Sequence, residues 1–302
     1  MNASAPASAS RFLDPAVIAR MGTMELRART IVEGFLQGLH RSPFRGFSVE
    51  FAEYRQYMPG DDLSTIDWKV FARTDRHVVK KFEQETNLPC HLLVDASASM
   101  AYGSRGLSKL QYASYLAAAL AWLLVRQRDA VGLMAFGADV VAELPARSRP
   151  GHLRRLLVEL ERLRPADRSN LARPLHRLAE RLTRRGLVVV ISDLLDEPDG
   201  VVAGLRHVRF RGMEVVVFQV LDAAELTFPF DRSTRFRDLE SGDEILTSPD
   251  TVRAEYLREM SALTARYARD LRGSGIDYHQ VDTSMPLDVA LLEYLDARGR
   301  AI

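Results

Sequence analysis

From residue 90 onward the chain alternates short, almost wholly apolar runs with longer stretches whose apolar residues recur at helical spacing. The runs Leu187–Asp193, LVVVISD, and Met213–Val220, MEVVVFQV, are rich in β-branched residues and show no alternating polar face. A strand that is apolar on both sides must be covered on both sides, the condition of a parallel strand in a sheet with crossover helices. The segments between supply such helices. Gly151–Leu163 places Leu153, Leu156, Leu157, Leu160 and Leu163 on one stripe, and Asn170–Arg184 does so with Leu171, Leu175, Leu178 and Leu182. The same reading gives strands Cys90–Asp95, Ala130–Phe136, Val140–Leu144 and Ile276–Val281, and helices Ser108–Gln127, near Val201–Arg209, and Leu287–Ala297. Only Gly-Ala-Asp separates Ala130–Phe136 from Val140–Leu144, too short for a crossover, so one antiparallel hairpin interrupts the alternation. The expected fold class is α/β, a doubly wound, mostly parallel sheet.

Residues 234–247 predict a further hairpin turning at Ser241-Gly242-Asp243. Ser248-Pro249-Asp250 then supplies an N-cap and a first-turn proline for a long helix ending near Gly273. Before the sheet, MNASAPASAS opens a segment, residues 1–22, expected to be a disordered lead-in without targeting character. Residues 23–88 predict an N-terminal helix and a small β-rich subdomain, and residues 89–302 the main domain.

The 302 residues carry 41 Lys and Arg against 40 Asp and Glu, and the net charge of +1 excludes a global bias towards polyanions. A single cysteine, Cys90, excludes a disulfide framework and a cysteine metal cluster, and predicts a reduced, cytoplasmic protein. The longest apolar stretch, Tyr112–Val125, is too short to span a bilayer. Twelve arginines lie between Arg147 and Arg185, mostly on the outward faces of the two leucine-striped helices. They predict a solvated face; without interleaved aromatics or a nucleic-acid motif, no nucleic-acid partner is expected.

The string of elements resembles the von Willebrand factor A fold. Doubly wound sheets bind ligands beyond the carboxyl ends of their strands where strand order reverses. In the A fold that place lies between the first and fourth strands, which here end at Asp95 and Asp193. The stretch LLVDASASM places Asp95, Ser97 and Ser99 two residues apart, and resembles the first element of the metal-ion-dependent adhesion site of A domains. The resemblance extends to Ser169, where the family usually has threonine, and to Asp193; Leu194 stands where many A domains have glycine. It implies Mg²⁺, or Mn²⁺, bound by Asp95, Ser97, Ser99, Ser169 and Asp193, with hydroxyls ligating directly and carboxylates orienting bound waters. With so few carboxylates the ion keeps positive charge and attracts an acidic partner side chain. Each residue also has a plainer reading: a turn for Asp95, Ser97 and Ser99, an N-cap for Ser169, a strand-end turn for Asp193.

Residues 45–86 contain Glu50, Phe51, Tyr54, Arg55, Tyr57, Pro59-Gly60-Asp61-Asp62, Ile66-Asp67-Trp68, Ala72-Arg73 and Lys81-Phe82-Glu83. This pattern closely resembles the signature of the bacterial "domain of unknown function 58" family, in which it precedes an A-type fold; the resemblance spans roughly residues 20–300. It implies a MoxR-type AAA+ ATPase as partner and, by analogy, an adaptor role in protein assembly or maturation with an unnamed client. In the segment itself, Ser64–Arg73 reads as a short helix between strands, and Arg55, Asp62, Asp67, Arg73 and Glu83 as a paired-charge network.

The expectation is a non-enzymatic, cation-assisted protein-binding module. Two alternatives stand beside it: a metal-dependent hydrolase using the acidic cluster at residues 61–69, and a structural adaptor whose site holds no metal. A haloacid dehalogenase-type phosphatase needs a second aspartate where Ser97 stands, and no nucleophile elbow or paired histidine marks a serine hydrolase. His91, His176 and His207 read as structural or surface residues.

Overall fold

The computed structural model describes residues 14–41, 54–56, 78–80, 88–165 and 170–299. The elements in order are α1 (Pro15–Ala19), α2 (Met24–Arg41), β1 (Tyr54–Gln56), β2 (Val78–Lys80), β3 (Pro89–Asp95), a 3₁₀ turn (Ala98–Ala101) and α3 (Lys109–Arg126). They continue with β4 (Ala130–Phe136), β5 (Val140–Arg147), α4 (Pro150–Arg162), α5 (Ala172–Arg181), β6 (Leu187–Ser192), α6 (Pro198–Phe210) and β7 (Glu214–Leu221). Last come α7 (Ala223–Thr227), β8 (Thr234–Arg237), β9 (Glu244–Thr247), α8 (Pro249–Arg272), β10 (Asp277–Asp282) and α9 (Leu287–Gly299).

Six strands form the central sheet in the order β10-β7-β6-β3-β4-β5, parallel except for the β4–β5 hairpin. This is the expected doubly wound, von Willebrand factor A-like topology. Chain order reverses at β3, whose neighbours are β4 on one side and β6 on the other. The crevice at their carboxyl ends is therefore bordered by Asp95 and Asp193, as the sequence predicts.

Strand alternation divides the core in two. Leu92 and Val94 of β3, with Val189 and Ile191 of β6, join a cluster containing Ile31 and Phe35 of α2, Leu116 and Leu120 of α3, Leu156 of α4 and Tyr294 of α9. Leu93, Val188 and Val190 point the other way, onto Leu175 of α5, Val201 and Leu205 of α6, and Tyr267 and Leu271 of α8. Both leucine-striped helices thus bury their stripes, but α4 and α5 do so on opposite faces of the sheet. The arginines between 147 and 185 that the structure describes are exposed, yet divided between two sides of the molecule, so they form no single basic face.

Several boundaries moved. Within the segment read as a disordered lead-in, Pro15–Ala19 form α1: the Asp14 side chain accepts the Ala16 N–H at 2.8 Å, and Ile18 is wholly buried. β5 continues past the predicted Leu144 to Arg147, because its antiparallel ladder with β4 resumes after a register shift. α5 runs from Ala172 to Arg181, not from Asn170 to Arg184, and Asn170 lies ahead of it with its Oδ1 accepting the Arg173 N–H at 3.3 Å.

α2 places Met24, Ala28, Ile31, Val32 and Phe35 on its buried stripe and joins the same core cluster as α3. Arg27 stacks over Tyr115 of α3 at 5.2 Å and donates to Met21 O at 2.7 Å. β1 and β2 pair antiparallel, as the predicted strands of the segment before the sheet require. The Ser64–Arg73 helix, the acidic cluster at 61–69 and the partners of Arg55 in the charge network lie outside the described residues. The 234–247 hairpin forms as β8–β9, with Gly242 at φ 79° taking the left-handed position of its turn. No helix among the described residues is long and apolar enough to cross a membrane.

Candidate functional site

β3 delivers Asp95 at its last residue. Ala96 N–H donates to Phe136 O of β4 at 2.7 Å, so the chain stays on the sheet for one residue more and then turns into the 3₁₀ segment. Asp95 Oδ1 accepts the Ser97 N–H at 2.8 Å, folding the loop back over the strand end. Its Oδ2 accepts the Ser192 hydroxyl at 2.6 Å, tying β3 to β6 across the switch point. The Ser97 and Ser99 hydroxyls lie 3.1 Å apart, with Ser97 fully buried and Ser99 half-buried towards solvent. Burial, and then the neighbouring Asp193, push the Asp95 carboxyl up to about 7, against the hydrogen bonds from Ser192 and Ser97 that favour its ionised form.

Asp193 follows β6 directly. Leu194 behind it has φ 54° and is 1% exposed, so a position suited to glycine is held in the left-handed region by the packing of a leucine side chain. Its N–H donates to Ser192 Oγ at 3.0 Å, and Leu195 N–H donates to Asp193 Oδ1 at 3.2 Å. Gln219 of β7 donates to the Asp193 carbonyl at 2.9 Å and accepts from the Tyr278 hydroxyl of β10, so the Asp193 backbone is fixed from two strands away.

The residue that dominates this side of the site is Lys109, which the sequence reading did not single out. Its ammonium is wholly buried, 2.8 Å from Asp193 Oδ2 and 2.7 Å from Glu225 Oε1. Lys109 opens α3, behind a capping box in which Ser108 Oγ accepts the Gln111 N–H at 3.2 Å and Gln111 Oε1 accepts the Ser108 N–H at 3.0 Å. A cation at a helix N-terminus lies at the wrong end of the helix dipole, so its stabilisation must come from the two carboxylates. Burial alone would lower the Lys109 pKa; Asp193 and Glu225 overcome that and hold the ammonium charged, above its ordinary value. Burial likewise raises the Glu225 carboxyl, and Lys109 opposes the rise.

Glu225 is anchored from behind. Its Oε2 accepts the Asp222 N–H at 2.7 Å, and the Asp222 carboxylate accepts from Thr283 Oγ1 at 3.0 Å, Ala224 N at 2.8 Å, Ser104 N at 3.0 Å and the Ser104 hydroxyl. Ser104 reaches Asp222 because the loop before α3 closes tightly at Gly103, where a β-carbon would meet Leu107 O at 2.2 Å. One polar network therefore reaches from the loop after β3 to the ends of β6, β7 and β10.

Asp95, Ser97, Ser99 and Asp193 come together at the switch point, and Ser169 lies outside the described residues. Nearby, Leu171 N–H donates to Asp196 Oδ2 at 2.8 Å, fastening the start of α5 to the loop after β6. The donor chemistry suits a hard dication: hydroxyls 3.1 Å apart span one edge of an octahedron whose metal–oxygen bonds are about 2.1 Å. Carboxylates and imidazoles alone do not provide such a site, since no group of three or more His, Cys, Asp or Glu among the described residues is disposed to hold an ion. The Asp193 side is already engaged by an ammonium.

The signals for the missed residues are local but faint. Lys109 sits on the stripe of Tyr112, Ala113 and Leu116, all buried, and a lone lysine on such a stripe requires a buried counter-charge. Asp222-x-x-Glu225 is a capping box, whose second role cannot be read from spacing. His176 and His207 meet on the surface through their Nδ1 atoms at 3.0 Å, and His91 is largely buried, with its pKa lowered by that burial.

Residues 53–266 match the family described as "Protein of unknown function DUF58". Uncharacterized proteins of Mycobacterium tuberculosis and Mycobacterium bovis are each 30% identical over 292 residues, covering 95% of this chain and 91% of theirs. Among solved structures, BatB from Bacteroides thetaiotaomicron aligns with a TM-score of 0.47 at 19% identity, over 70% of this chain and 99% of that one. The SpRpn10 VWA domain aligns with a TM-score of 0.36 at 11% identity, over 68% of this chain and 93% of its own.

Proposed function

Because the chain belongs to the DUF58 family and folds as a von Willebrand factor A-like sheet, we propose that it is a non-enzymatic protein-binding adaptor docking partners at the carboxyl end of that sheet. The observation that carries the proposal is the Ser97–Ser99 hydroxyl pair, poised at octahedral-edge spacing at the switch point and open to solvent on the Ser99 side. Ser97 and Ser99, with Ser169, are the residues to hold Mg²⁺ or Mn²⁺ directly, and Asp95 and Asp193 those to orient its waters. When bound, the ion supplies an open coordination position for a partner carboxylate. The chain's own part is rigidity: Asp95 is fixed by Ser97 and Ser192, and the Asp193 backbone by Gln219, so a partner meets a preformed surface.

The family resemblance supports a MoxR-type AAA+ ATPase as that partner, with a client protein presented to it. The sequence has no P-loop, so nucleotide hydrolysis falls to the partner. A metal-free docking site is the second reading, favoured by one observation: Lys109 already supplies a positive charge to Asp193. Affinity capture from the native host separates the two. The metal-bridged form predicts that the ATPase co-purifies in Mg²⁺ and is lost on adding EDTA or on introducing Ser97→Ala with Ser99→Ala. Retention by the folded double variant in EDTA favours the metal-free form, and capture of no ATPase under any condition removes the MoxR partner from the proposal.

A further inference from the structure

Lys109 stands where the proposed site most needs negative charge. Its ammonium lies 2.8 Å from Asp193 Oδ2 and takes one of the acceptor positions that a metal-bound water would use on that carboxylate. It has a second seat as well. Glu225 Oε1 is 2.7 Å away on its other side, and Glu225 is held in place by the Asp222 N–H on its remaining oxygen. The helix start that carries Lys109 is itself fixed, by the Ser108 capping box and by the Lys109 N–H donating to Tyr102 O at 2.9 Å. Only the flexible part of the side chain is free to redistribute between the two carboxylates. Lysine is a compact point charge on a four-carbon stem and adapts to such a shift where arginine would not.

We infer that Lys109 is the site's own cation, competing with a divalent ion for the Asp193 carboxylate, so that ion binding requires the ammonium to fall back on Glu225. The inference rests on the proposal that Ser97 and Ser99 ligate the ion. The electrostatic reason is direct. A dication beside Asp193 faces a buried ammonium at short range in a medium where like charges are poorly screened, so each weakens the other's hold on the shared carboxylate. Two functions follow from one residue. Without metal, Lys109 supplies the opposite charge beside a buried carboxylate. With metal, it sets the affinity low, so that the ion is retained only when a partner carboxylate joins it.

The test is isothermal titration of Mn²⁺ into the wild-type chain, Lys109→Met, and the double variant Lys109→Met with Glu225→Gln. The double variant removes one charge of each sign, preserving net charge, and keeps the test available if Lys109→Met alone fails to fold. Each protein is also titrated with Ser97→Ala and Ser99→Ala added. The expected result is Mn²⁺ affinity at least about tenfold tighter in the lysine-free proteins than in wild type, equivalent to about 1.4 kcal/mol, and lost when the two serines are replaced. Equal, serine-dependent affinity with and without Lys109 would overturn the competition while leaving the metal site standing. Tightening that survives the serine replacements places the ion elsewhere and overturns the inference too. If no protein binds Mn²⁺, both the inference and the metal-bridged proposal fall.

Discussion

The two sides of the candidate site end on neighbouring strands and are built from opposite chemistry. At the end of β3, Asp95 is matched by neutral donors, a backbone N–H and a serine hydroxyl, and offers two further hydroxyls to whatever approaches. At the end of β6, Asp193 is matched by a full charge, the ammonium of Lys109, itself shared with Glu225. The first arrangement leaves a buried carboxyl reluctant to ionise, and the second sets two opposite charges in contact away from water. A carboxyl matched by neutral donors and one matched by a full positive charge have thus been placed side by side.

The largest expected effect breaks the second side. Lys109→Met strands two carboxylates next to each other and should cost roughly 3–5 kcal/mol in urea unfolding, with part of it recovered by adding Glu225→Gln. Recovery by the second substitution is the diagnostic, since mere loss of lysine packing would not be repaired by it.

Titration probes the first side. In metal-free buffer the folded Asp95 carboxyl keeps its proton up to about pH 7, while the unfolded chain releases it near 3.9. Between those values the folded state binds more protons, so stability should decline as pH rises from about 4 to about 7 and level off beyond. Asp95→Asn should flatten that slope; an unchanged slope in the variant would assign it to other groups.

Leu194 supports the link between the two sides, its N–H donating to the Ser192 hydroxyl that bonds Asp95. Truncation to alanine keeps the left-handed backbone and loses the buried side chain, for an expected cost of about 2–3 kcal/mol. Leu194→Gly, free of the left-handed penalty, should retain about 1 kcal/mol more than the alanine variant, measured by the same unfolding curves. The smallest effect sharpens the contrast. Ser99→Ala removes a half-buried hydroxyl whose partner is another hydroxyl, and should change stability by no more than about 1 kcal/mol while weakening any Mn²⁺ binding. A large stability loss there would mean that the pair is a structural lock.

Much of this molecule is legible without coordinates, for a physical reason that differs from element to element. Runs such as LVVVIS are apolar on both faces, and only a sheet covered on both faces satisfies them. The Gly-Ala-Asp connection permits no crossover, so β5 has to return antiparallel. The switch point and the convergence of Asp95 with Asp193 are what the resemblance to the von Willebrand factor A fold implies, and the strand order bears them out. Leu194 in a glycine position is also visible in sequence, though not that burial would hold its backbone at positive φ.

The assignment of charges was decided in three dimensions. Lys109 finds Asp193 across 84 residues and Glu225 across 116, and no local spacing rule connects a first-turn lysine to the end of a strand and the cap of a later helix. Nor does periodicity reveal on which face of the sheet an amphipathic helix lands, which is why the arginines of α4 and α5 part company despite adjoining in sequence. Sequence determines which side chains must leave water, because that follows from each residue's own chemistry and its period along the chain. Which buried charge meets which depends on the packing of elements distant in sequence, and here that packing placed an ammonium in a site whose sequence motif suggests a metal.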